Sequence, residues 1–280
     1  MMSSNEQQKE WIGYEDVDIH HISFPYPWSE EADSVEFIKK ELLKLEKKGI
    51  SLSEDICGFM LETFQGWGAV FYPPVFVKHI ERICKENGIL LAFDEMQAGF
   101  ARTGKAFGFQ HYDVTPDLIC CGKGMGGGVP LSGVIGKAEV MDLPEIGNMS
   151  STHSANPLVC EAGLAVIEEI RRLNLIEETE RKGKILFDEL EKLRSTYPDR
   201  LKYVLGKGLI AAIHIYCPDS GEPDGLFTSR VAEKCLQKGL LVVHTGRESI
   251  KIGPPLTITD EALREGVEVI GEAFDEVEKS

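Results

Sequence analysis

Apolar residues recur along this chain with two different periods. Between residues 34 and 48 they fall at Val35, Ile38, Leu42, Leu43 and Leu45 among charges, which predicts an amphipathic helix. Residues 56–63 form a short apolar run and predict a buried strand. Residues 74–87 put Val77, Ile80, Ile83 and Cys84 on one helical face, and Gly88 supplies a stop. Further strands are predicted at 89–93, 118–121 and 131–135, with a glycine-rich loop before the second and another glycine run between the second and third. Strands alternating with a helix of this length predict a parallel or mixed sheet. The texture changes after Asn156-Pro157. Helical patterns cover 158–171 and 174–196, and proline suits the first position of the former. Strand-like runs follow at 202–205 and 209–216, then a helix at 229–238, short strands at 240–244 and 249–252, and a closing helix at 260–279 capped by Thr259 or Asp260. The pattern predicts an α/β portion over residues 1–156 and a smaller α+β domain over 157–280.

Composition narrows the function. A chain of 280 residues suits one large domain or two, and 42% hydrophobic residues suffice for a core. A formal net charge of −16 gives no electrostatic reason to bind nucleic acid or an anionic membrane surface. No run of about 18 apolar residues predicts a membrane-spanning helix. The polar start is unlike a secretory signal, so the cytoplasm is the expected location. The seven cysteines are odd in number and include no CxxC pair, so neither a zinc site nor a thioredoxin motif is expected. They read as small apolar residues in a reducing compartment.

The chemistry centres on Lys123, in Ile119-Cys120-Cys121-Gly122-Lys123-Gly124. A lysine at a strand end, beside glycines that let backbone approach a ligand, suits Schiff-base chemistry. The glycine run after it is read as extended. A Walker loop would need Ser or Thr after the lysine and a helix beyond, and Gly124 stands there instead. The strand ending at Asp94 brings a carboxylate to another strand end, where open α/β sheets bind ligands. An amine that holds an aldehyde and an acid that holds a ring nitrogen describe a pyridoxal phosphate (PLP) site. Asp94 can equally cap the turn that follows it. Gln97 is placed to donate to the phenolic oxygen of such a cofactor. Glu62 follows another apolar strand and either faces a substrate or stays solvated. The hydroxyl cluster Ser150-Ser151-Thr152-His153-Ser154 either contacts a phosphate or caps the next helix. His153 is given no role.

In this order the segments resemble the class III aminotransferases, the group of ornithine, 4-aminobutyrate and acetylornithine enzymes. Glu62-Thr63-Phe64-Gln65-Gly66 is similar to the family's Glu-Pro-x-Gln-Gly strand end. Phe93-Asp94-Glu95-Met96-Gln97-Ala98-Gly99-Phe100 is similar to its cofactor-aspartate segment, and Lys123 falls at its Schiff-base lysine. The resemblance implies PLP fold type I, with residues 1–156 as the C-terminal part of the cofactor-binding large domain. It implies a homodimer with sites at the subunit interface, where Thr152 reaches the cofactor phosphate of the neighbouring subunit. It also implies transamination between an amine or amino acid and a keto acid.

Two departures qualify this. The family's longer N-terminal portion carries a phosphate cup and an aromatic residue that stacks on the ring. The chain is expected to lack both, and to bind PLP weakly alone. Lys251 stands where many members have an arginine that grips a substrate carboxylate, and lysine is a poor substitute for that fork; Arg247 is a nearby candidate to compensate. The rival readings are a PLP-dependent lyase or decarboxylase using the same lysine and aspartate, and an inactive fragment or half of a split enzyme.

Overall fold

The computed structural model of the chain describes Glu10 and residues 18–279. These fall into two compact units, one comprising the described residues up to Phe59 with Tyr72–Leu90, the other Met60–Phe71 with residues 91–279. These units do not follow the sequence boundary after residue 156.

The first unit is built on two helices. α1 (Val35–Glu46) starts at Ser34, whose hydroxyl accepts the Phe37 N–H, and buries Ile38, Leu42 and Leu45. α2 (Pro74–Asn87) buries Phe76, Val77, Ile80, Ile83 and Cys84 and ends at Gly88. Gly88 has φ +67°, a left-handed conformation that glycine adopts without steric cost. Phe76 stacks on Tyr72 and meets Phe37, so aromatic contacts join the two helices.

The second unit contains two four-stranded sheets. β1 (Gly58–Glu62) reaches this unit from Met60 onward. A hairpin of β2 (Phe64–Gln65) and β3 (Val70–Phe71) follows it, and then β4 (Leu90–Asp94), β5 (Leu118–Cys121) and β6 (Gly133–Gly136). The first sheet has the order β1-β4-β5-β6. β4 and β5 run parallel with Asp94 beside Cys120, whereas β6 returns antiparallel to β5. Helices α3 (Ala138–Met141), α4 (Pro157–Arg172) and α5 (Leu175–Thr196) lead to β7 (Leu201–Lys207) and β8 (Ile210–Ile215). Then come α6 (Gly225–Gln237), β9 (Val243–His244), β10 (Ser249–Ile252) and α7 (Asp260–Glu278). The second sheet is antiparallel throughout, in the order β7-β8-β10-β9.

All six residues of β8 are buried, and its two faces have different tasks. Ala211, Ile213 and Ile215 join Leu186 and Leu190 of α5, Val231 of α6 and Phe274 of α7 in the main core. Burying each such large side chain contributes about 1.5–3 kcal/mol. The alternate residues Ile210 and Ala212 pack against Phe64, Ala69 and Ala98. His214, on that same face, bonds through Nε2 to the Gly68 carbonyl at 2.9 Å. The second sheet therefore braces the loops that follow β1 and β4.

The closing helix, β5 and α2 match the sequence expectations almost to the residue. The run after Lys123 differs. Lys123–Gly126 closes into one 3₁₀ turn instead of staying extended. α4 explains this: Gly163 lies against Leu131, and Val166 lies against Gly127, so the helix presses on that turn.

Candidate active site

One cleft in the second unit is lined by Glu62, Thr63, Phe64, Asp94, Met96, Gln97, Ala98 and Lys123. Four of the five residues singled out in the sequence thus share a wall, although 61 positions separate Glu62 from Lys123. The sheet accounts for this. β1, β4 and β5 are consecutive in the first sheet, and the residues at or just past their C-terminal ends supply Glu62, Asp94 and Lys123. Thr152 is not brought there; it sits in an exposed turn before α4. The Ser151 and Ser154 hydroxyls of that turn bond each other at 2.9 Å, and the helix cap is Asn156.

Asp94 makes the turn cap that the sequence offered and still faces the cleft. Its Oδ1 accepts the Met96 N–H at 2.9 Å, capping the turn, while the side chain lines the cleft. Lys123 opens its 3₁₀ turn with φ +31°, unusual for a residue with a side chain. Such backbone strain collects where a side chain must be aimed. Gly122 makes the approach possible, since a Cβ there would strike the Met96 sulfur. Glu62 keeps part of its surface in solvent, while its carboxyl end is crowded by the cleft residues around it. Loss of hydration, and then the negative charge of Asp94, hold its carboxyl above the usual carboxylate range. The Gly66 N–H, Lys123 and Lys251 pull it the other way. Glu62, Asp94 and Lys123 are therefore within electrostatic reach of one another.

The second sheet reaches the cleft residue Gln97 from outside the lining. Lys251 of β10 donates to the Gly66 carbonyl at 2.7 Å and to Gln97 Oε1 at 3.0 Å. Burial, and then the neighbouring Lys123, push its amine below the ordinary lysine value. Arg247 does not enter this network; its guanidinium lies 3.7 Å from the Trp67 ring centre and pairs with the buried Glu248.

Two residues here escaped the sequence reading. Glu95 is fully buried and accepts from the Thr63 hydroxyl and from the Gly108 and Phe109 N–H groups at 2.7 and 2.8 Å. Burial raises its carboxyl above the usual range despite those donors. It ties the end of β1 to the loop beyond β4 and fixes the frame around Asp94. Arg102 donates to the Leu209 carbonyl at 2.9 Å and to the Pro254 carbonyl at 2.5 Å, joining the same loop to the second sheet. Their partners are 13 to 152 residues away, so local pattern carries no trace of them. The only signal was compositional, a second acid directly after Asp94.

The donor set suits a pyridine ring bearing a cationic N–H and an aldehyde. A carboxylate stands at one strand end, a primary amine just past the next, and amide and carboxyl groups flank them. Glycines at 66 and 122 remove the Cβ atoms that would collide with Gln97 and Met96.

A family model described as aminotransferase class-III matches residues 1–274. Acetylornithine aminotransferase of Caldanaerobacter subterraneus is 34% identical over 81% of this chain and 56% of its own length. Leucine/methionine racemase of Thermococcus litoralis is 34% identical over 94% of this chain and 60% of its own length. The crystal structure of a Bacillus anthracis aminotransferase matches with a TM-score of 0.86 at 28% identity, over 97% of this chain and 64% of that one. The chain spans about half to three-fifths of the length of the curated relatives it matches.

Proposed function

The chain belongs to the class III aminotransferase family, and we propose that it serves PLP-dependent transamination between an amine or amino acid and a keto acid. The observation that carries this reading is the shared cleft of Asp94 and Lys123 at the ends of neighbouring strands. When bound, PLP supplies an electron sink that makes the substrate's amine-bearing carbon acidic. The residues of this chain supply the rest. Lys123 would hold the cofactor through its amine and, once released, would take the proton from the substrate carbon and deliver it to the cofactor's aldehyde-derived carbon. Asp94 holds the ring nitrogen's proton, which keeps the ring cationic. Gln97 donates to the ring oxygen, and Glu62 faces the substrate.

A homodimer is part of the proposal. Leu143, Ile146 and Met149 are 75%, 106% and 81% exposed, too apolar a run to leave in water without a partner. Thr152 lies in that same segment, where it would serve a neighbouring subunit's cofactor. The segment 157–280 is proposed to act as the small domain. No helix among the described residues is long and apolar enough to cross a membrane. Seven free thiols favour a cytoplasmic location.

The test is Lys123→Ala. Turnover should fall by at least about a thousand-fold, since covalent and proton-transfer roles are lost together. Amino transfer should also require an added keto acid. Retained turnover in the variant, or ammonia release without an acceptor, would reject the reading.

A further inference from the structure

Lys251 and Gln97 make a contact whose direction matters. A glutamine amide has an acceptor end and a donor end, and its neighbours choose between them. Here the Lys251 ammonium stands 3.0 Å from the Gln97 oxygen. Flipping the amide would set an NH2 against an NH3+, donor against donor. The amide nitrogen is therefore held on the side of Gly66 and Glu62, so close to Gly66 that no Cβ fits there. Gln97 lines the same cleft as Asp94 and Lys123. Lys251 is itself fixed by the Gly66 carbonyl at 2.7 Å and by its place in β10, paired with Ala212 and Val243. Two of its three donors are thus spent on the protein.

We propose that Lys251 is a positioning residue: through Gln97 Oε1 it sets which end of the amide meets the cofactor, and it does not clamp a substrate carboxylate. The inference rests on the PLP reading above and assigns this cation a task distinct from substrate recognition. A charged donor to the oxygen also polarises the amide, which strengthens the N–H that Gln97 offers.

A double-mutant cycle on the full-length protein tests this, with Lys251→Met, Gln97→Leu and both together. The first readout is the dissociation constant for PLP, followed by absorbance. Each single variant should weaken binding by about ten-fold, the value of one charge-assisted or ring-oxygen hydrogen bond. The double variant should bind no worse than Gln97→Leu alone. Additive losses would overturn the proposal. The second readout is KM for 4-aminobutyrate and for n-butylamine, which differ by a carboxylate. Lys251→Met should change both by the same factor; a rise confined to 4-aminobutyrate would make Lys251 a carboxylate clamp and refute the inference. The third readout is urea unfolding of the same four proteins without cofactor, where the two changes should again be non-additive. If PLP gives no Lys123-dependent absorbance, the parent reading fails. The unfolding cycle then decides the Lys251–Gln97 contact by itself, and simple additivity there would reject it.

Discussion

Glu95 shows how a single side chain can hold a site it never touches. Its Oε1 accepts from Thr63 and Phe109, and its Oε2 from Gly108. Glu95→Gln turns one of those acceptors into a donor facing another donor. We expect a loss of about 1–3 kcal/mol in urea unfolding, the cost of leaving a buried group unmatched. The pH dependence has a definite sign. Burial raises the folded-state value of Glu95 above its unfolded one, so the folded protein holds this proton more tightly. Its contribution to stability is greatest below the unfolded value and declines as pH rises through the folded value. That decline should vanish in Glu95→Gln. At this scale the sequence was legible for the placement of residues at strand ends: Asp94, Lys123 and Glu62 all line one cleft. It was silent on Glu95 and Arg102, whose roles depend on backbone groups far along the chain.

Element boundaries were legible where the chain carries its own punctuation. Pro74 and Gly88 bracket α2, and Thr259 caps α7 through the Ala262 N–H. Where the signal is a cap without a flanking apolar face, it was missed. α6 starts at Gly225 under the Asp224 carboxylate, four residues before its periodic stretch begins. β9 is only Val243–His244, because the apolar run before it leaves Leu241 83% exposed instead of pairing it. The packing of α5 yields a prediction that helix propensity alone gets backwards. Gly183→Ala would ordinarily stabilise a helix by up to about 1 kcal/mol. Here the new Cβ would lie 2.8 Å from the backbone of Gly208, in the turn joining β7 and β8. Backbone cannot swing aside as a side chain can, so the substitution should cost about 1–3 kcal/mol. A thermal melt reads this as a lowered midpoint; a raised one would show that α5 and the turn are less closely packed.

At the scale of the molecule, the fold class was legible because strand and helix periods alternate before residue 157. The bracing of one sheet's loops by the other sheet was not. β8 is apolar on both faces but for His214, and periodicity cannot say which face meets the core helices and which meets Phe64, Ala69 and Ala98. Assembly makes its own prediction. A charge at Ile146, in the exposed apolar segment, should be tolerated by the fold and not by the dimer. Ile146→Asp should leave thermal stability of the single chain within about 0.5 kcal/mol, as for exposed sites generally. Light scattering should shift from the mass of two chains to that of one. An unchanged dimer would place the interface elsewhere.

The central claim is that Lys123 carries the cofactor, and the structure offers a genuine competitor. Lys251 has an amine whose proton affinity is lowered by burial and by Lys123, in the same network. Borohydride reduction of the PLP-loaded protein, followed by peptide mass spectrometry, tells them apart. The account predicts the phosphopyridoxyl group on Lys123 alone; finding it on Lys251, or spread over surface lysines, would contradict it.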